Sequence, residues 1–299
     1  MAATLASTVI SLAAEPDPSW QVNTSFSGRR YSLDYTAPTP SSTSGTGEAV
    51  GLEVTRFFAP LHDDGAPYSL EPFLQRASSW SLSIDGSHLT TNHPFGGPSS
   101  TDWSGGISTS VDVYVKRWLI LNGGVSTSYD RQTETTEQSS HSVSGYLDLG
   151  LRVADTRVDG WYTVNAEDVG GASSRFRNRF GASMFTAIAR RFSLSLDGNR
   201  IPGGGNGEIA LEYFARQDLG IFGGLFAEKG TFYSTNLEVQ EYSGWLGVAT
   251  WLDPTVGVEG SYTLTTYDAP VQLIDQTPFG YHDISHQLLF EVLARFDRL

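Results

Sequence analysis

Over long stretches the side chains alternate in character with a period of two. In FRNRFGASMFTAIARRFSLSL, Phe176 to Leu196, the even positions carry Phe176, Phe180, Ala182, Met184 and Ile188, and the odd positions Arg177, Arg179, Gly181 and Ser183. After Arg190-Arg191 the pattern restarts, with Phe192, Leu194 and Leu196 set against Ser193, Ser195 and Asp197. A helix brings residues three and four apart onto one face, so a period of two means a strand whose two faces meet different solvents. Fourteen segments read this way. The clearest are Trp103–Val115, Val143–Val153 and Ile284–Phe296, and the first, Trp20–Tyr35, changes parity at Gly28-Arg29-Arg30, which predicts a bulge or a small hairpin.

The connections alternate as well. Short ones fall at 116–118, 154–157, 190–191, 217–220 and 253–254, and longer polar ones at 37–46, 91–101, 131–140, 167–174, 201–206 and 267–280. Tight turns at one end and loops at the other are what a transmembrane barrel presents. A soluble sandwich has no reason to sort its turns, and stands as the alternative.

Only 17% of the residues are charged, against about 25% in a soluble domain, yet no long apolar run replaces them. Ala2–Ala14 is too short for a spanning helix, which needs about 20 residues. Residues 1–17 read as a signal-peptide remnant or a lead-in, since small residues precede Glu15-Pro16 without a basic start. With no cysteine there is neither a disulfide nor a thiol nucleophile. A net charge of −14 argues against nucleic acid, whose binding depends on clustered Lys and Arg. In hydrocarbon every backbone polar group must be paired within the protein, so a membrane form of such strands has to close into a barrel. The expected fold is therefore all-β, a closed antiparallel up-and-down barrel of about 14 strands over residues 18–299.

Aromatic residues gather at strand ends and predict two interfacial girdles. Trp80, Trp118, Phe192, Trp251 and Phe296 sit toward the short turns, and Tyr35, Trp103, Tyr129, Tyr267 and Tyr281 toward the loops. One connection breaks the pattern. Residues 57–76, FFAPLHDDGAPYSLEPFLQR, are long where a short turn belongs, with a helical start at Ser69-Leu70-Glu71. A cap below the barrel, a plug in the lumen and a dock for a partner are the three readings.

With its alternation, turn asymmetry, girdles and Leu- and Phe-rich last strand, Gln287–Phe296, the chain resembles a Gram-negative outer-membrane β-barrel of the 14-stranded porin kind. It departs from that pattern by ending in Asp297-Arg298-Leu299 instead of an aromatic residue. The resemblance implies export to the outer membrane, contact with its lipid, periplasmic short turns and no cofactor.

Parity assigns to the lumen Arg175, Arg177 and Arg179, then Glu208, Glu212 and Arg216, Asp148 and Arg152, Asp112, and Asp283, Glu291 and Arg295. Opposed acids and bases filter ions in a pore; paired across a narrow barrel they would instead fill it. No catalytic set emerges, because Asp283 and Ser285 fall on the opposite face from His286. His62-Asp63-Asp64-Gly65 has oxygen ligands but not the spacing of a calcium loop, and no metal site is expected. Two functions follow: a porin passing small hydrophilic solutes or ions, or a docking barrel of a gliding or secretion assembly that uses 57–76 as its periplasmic contact.

Overall fold

The computed structural model describes residues 19–37, 41–62, 65–92, 99–133, 137–169, 172–201, 204–232, 237–274 and 277–296. The expectations for 1–17 and for Asp63-Asp64 lie outside them. Fourteen strands form one closed antiparallel barrel in sequence order. They are β1 (Trp20–Ala37), β2 (Ser41–Phe57), β3 (Ser79–Asn92), β4 (Ser100–Lys116), β5 (Leu119–Thr133), β6 (Glu137–Val153) and β7 (Thr156–Val169). The second half is β8 (Ala172–Ile188), β9 (Phe192–Ile201), β10 (Gly204–Arg216), β11 (Leu219–Phe232), β12 (Leu237–Asp253), β13 (Val256–Ile274) and β14 (Thr277–Phe296). The seam closes β1 on β14 from Trp20↔Phe296 to Ala37↔Gly280, which leaves no edge strand to satisfy.

The alternation resolves into two surfaces. Val143, Leu147, Leu149, Leu151 and Val153 of β6 are all exposed and outward, as are Leu211, Leu225, Leu246 and Leu288 on other strands. Large apolar groups at more than half exposure, such as Leu147 at 65%, are costly in water and unremarkable in acyl chains. On β1 and β14 the outward band runs from Trp20 and Phe296 to Arg30 and His286, which face each other about ten residues further along. That is the length of a tilted strand crossing hydrocarbon. Replacing Leu147 by Arg near mid-band should cost about 2–4 kcal/mol, measured as urea unfolding from lipid vesicles.

Two expectations are corrected. β1 runs unbroken through Gly28-Arg29-Arg30 and shifts register only between Tyr35 and Ala37. The apparent parity change arises where the outward face leaves hydrocarbon at Arg30, while Tyr31 is buried on the inward face. The stretches expected as long loops are largely strand: β1–β2 pair as far as Tyr35↔Ser41, β5–β6 as far as Thr133↔Glu137 and β13–β14 as far as Ile274↔Thr277. Beyond the membrane both strand faces meet water, so a strand there has no reason to alternate.

The girdles are also redrawn. Trp80, Phe192, Trp103 and Tyr129 fall on the outward register, the last two stacked with His88 and His141, and Trp118 stands exposed in the turn between β4 and β5. Trp251, Tyr267 and Tyr281 turn inward instead, since parity within β12, β13 and β14 puts them on the face opposite Leu252, Asp268 and His282. Phe296 keeps the outward register but is buried opposite Trp20. The side chain of Tyr35 lies outside the described residues.

Candidate functional site: the lumen and its closed mouth

The inward wall is built from small polar residues interrupted by carboxylates. Neighbouring strands tie hydroxyl to hydroxyl across it, as in Ser83–Ser108 and Ser87–Ser104 at 2.6 Å and Ser128–Ser142 at 2.8 Å. Among the described residues every strand except β1 and β8 sends at least one carboxylate inward, including Glu53, Asp85, Glu228 and Glu241 as well as the expected Asp148, Glu208, Glu212, Asp283 and Glu291. The two exceptions contribute Arg29 and Arg179. The side chains of Arg175 and Arg177 lie outside the described residues.

Asp112 and Asp148 share a partner, Arg157, that the sequence pattern places in a turn. Arg157, the second residue of β7, donates to Asp112 Oδ2 at 2.7 Å and to Asp159 at 2.7 and 2.8 Å, and lies 3.9 Å from Asp148 Oδ2. Arg29 donates to Ser285 Oγ at 2.7 Å, which leaves His286 outward beside Tyr262. Arg216 is not a lumen residue. A register shift after Phe214 carries it to the turn, where it pairs with Asp218 at 2.7 Å and stays two-thirds exposed.

Arg152 and Arg295 are inward, but they do not line an open passage. They hold the segment between β2 and β3, which turns back into the mouth at the short-turn end. There Tyr68–Leu70 make a 3-10 turn, followed by a one-turn helix, α1 (Glu71–Leu74), with Pro72 in its first turn. Leu70 packs on Ala187 and Phe214, with Phe73, Leu74 and Phe185 around it. Phe73 meets Phe185 edge-on at 4.5 Å, and Tyr68 meets Trp251 in the same way at 5.5 Å. Arg295 pairs with Glu71 at 2.7 Å, both side chains almost fully buried, and donates to the Tyr68 carbonyl at 2.7 Å. From the other side Arg152 donates to the Phe73 carbonyl and stacks over its ring at 4.0 Å. β6 and β14 stand nearly opposite each other in the ring. The segment therefore spans the mouth as a plug, clamped by an arginine from each wall.

Directly above the plug lies a cavity of about 380 Å³, floored by Ser69 and Pro72 and walled by Glu212, Phe222, Trp245, Trp251 and Glu259. Its rings lie against the wall because each covers a glycine on the next strand. A Cβ at Gly224 would overlap Trp245, one at Gly247 would overlap Phe222, and one at Gly257 would come within 3.0 Å of Trp251. Glycine thus gives the rings their bed, and a side chain there would push them into the passage. Apart from parity itself, the sequence offers no sign of this chamber.

No protein-family model matches the chain, and no curated protein matches its sequence. Its fold has clear counterparts. It is similar to the toluene transporter TodX of Pseudomonas putida, at 9% identity and a TM-score of 0.62 over 95% of this chain and 92% of that one. It is also similar to a FadL homologue of Pseudomonas aeruginosa, at 8% identity and a TM-score of 0.60 over 93% and 90%. The closed ring, the outward apolar band and these counterparts define a bacterial outer-membrane β-barrel, and the short-turn end holding the plug is the periplasmic end of such a barrel.

Proposed function

We propose that this protein is an outer-membrane channel for small hydrophilic solutes, favouring cations, with its periplasmic mouth shut at rest by the plug. The observation that carries the reading is the polarity of the inward wall, with inward carboxylates among the described residues on all but two of the strands. Of the five inward arginines among the described residues, Arg152 and Arg295 hold the plug and Arg157 is neutralised by Asp112 and Asp159, leaving Arg29 and Arg179 of that set to face the rest. Carboxylates lining low-dielectric walls raise the local concentration of cations and repel anions. TodX carries toluene, an apolar cargo; a carboxylate-lined passage favours a different one.

Reversal potential in a salt gradient tests this, using a variant without the plug. Potassium should be preferred over chloride several-fold, and Asp197→Lys with Glu208→Lys should lower that preference. A preference for chloride would refute the reading. A docking role for 57–76 has less support, because Leu61, Ala66, Tyr68 and Leu70 are buried and Phe58 is the large apolar side chain there that stays exposed.

A further inference from the structure

The chamber above the plug has a composition that a general porin does not require. Its walls combine two carboxylates, Glu212 and Glu259, with the rings of Phe222 and Trp245. Both rings lie against glycines of the neighbouring strand and line the cavity. Neither carboxylate has an ion-pair partner among the described residues; Glu212 takes one long bond of 3.4 Å from Ser193 Oγ. The cation at the chamber's base, Arg295, is already engaged with Glu71. The wall also holds a cation on an aromatic face, since the Arg295 guanidinium sits 4.4 Å over Trp251.

We infer that this chamber binds a small organic cation, a substituted ammonium with an apolar body, between the faces of Phe222 and Trp245 and the carboxylates of Glu212 and Glu259. Aromatic faces attract a cation through their quadrupole, more strongly where water is excluded. A cavity of this size suits a small organic ligand. A bare metal ion would make no use of the rings, and a neutral hydrocarbon would leave two carboxylates without a counter-charge. The assignment rests on the channel reading, and it makes the chamber the place where the solute waits above the closed plug.

Calorimetric titration of the intact protein in detergent, with choline and its uncharged isostere 3,3-dimethylbutan-1-ol as probes, separates charge from shape. Choline should bind at least tenfold tighter than the alcohol. Glu259→Gln and Trp245→Leu should each weaken choline about tenfold, while Trp245→Phe, which keeps an aromatic face, retains most of the affinity and guards against a folding artefact. Equal binding of the two probes, or no choline binding at all, overturns the site. If the plug-free barrel conducts cations while choline binds no better than the alcohol, the site fails and the channel stands. If choline is selected but the plug-free barrel is electrically silent, the channel fails and the site stands.

Discussion

Excising residues 59–77 and joining Phe58 to Ser78 through a short glycine-serine linker should turn a nearly silent barrel into a steadily conducting one. The two ends are already adjacent, because Phe58 N–H donates to the Ser78 carbonyl at 2.9 Å. None of the excised residues belongs to a strand, so the ladder from Phe57↔Ser79 upward is kept. Deletions are tolerated where no ladder hydrogen bond is lost. The mouth would lose the packing of Leu70 and Phe73 on Ala187, Phe214 and Phe185, and with it the obstruction. At least a tenfold rise in planar-bilayer current is expected. An unchanged current would mean that the plug is not what closes the mouth.

A single substitution should move the same equilibrium. Arg295→Met removes the guanidinium that pairs with the buried Glu71 carboxylate, and removing one member of a buried pair typically costs about 3–5 kcal/mol. Arg295 also donates to the Tyr68 carbonyl, so this one side chain fastens the plug at two points, while its stacking on Trp251 of β12 holds the guanidinium in place. At about 1.4 kcal/mol per factor of ten, the undocked population should rise by roughly two to three and a half orders of magnitude, seen as frequent openings in single-channel records. Adding Glu71→Leu removes the stranded charge and should restore much of the closure. Openings that stay frequent in the double variant would place the plug's stability in the bond to the Tyr68 carbonyl and not in the ion pair.

What the sequence disclosed follows the solvent. Wherever a strand separates acyl chains from a polar interior, its side chains must alternate, so the strands, their number and the inward place of Asp112, Asp148 and Glu212 were all readable. Outside the membrane that constraint lapses, which is why the ends of β5, β6, β13 and β14 read as loops. At the strand ends a tight turn can be extended by a residue without changing either face, so alternation alone puts Arg157 in a turn and Arg216 in the lumen. Trp251 is a different case. An aromatic residue near a strand end suits an interface, but it equally suits an inward bed over glycine, and which of the two it takes depends on the neighbouring strand. The plug's fastening was not legible, since Glu71 and Arg295 are separated by most of the chain and neither is unusual locally.

The most direct test of the account is whether the inside of the barrel is wet and the outside is not. The chain has no cysteine, so single cysteines can be introduced without background. Ser126 faces inward and its neighbour Val125 outward, at the same height on β5. In intact outer membranes a positively charged, membrane-impermeant thiol reagent should label Ser126→Cys rapidly and leave Val125→Cys untouched. Labelling of Val125→Cys with Ser126→Cys protected would contradict the account, because the carboxylate-lined face would then not be the one that meets water.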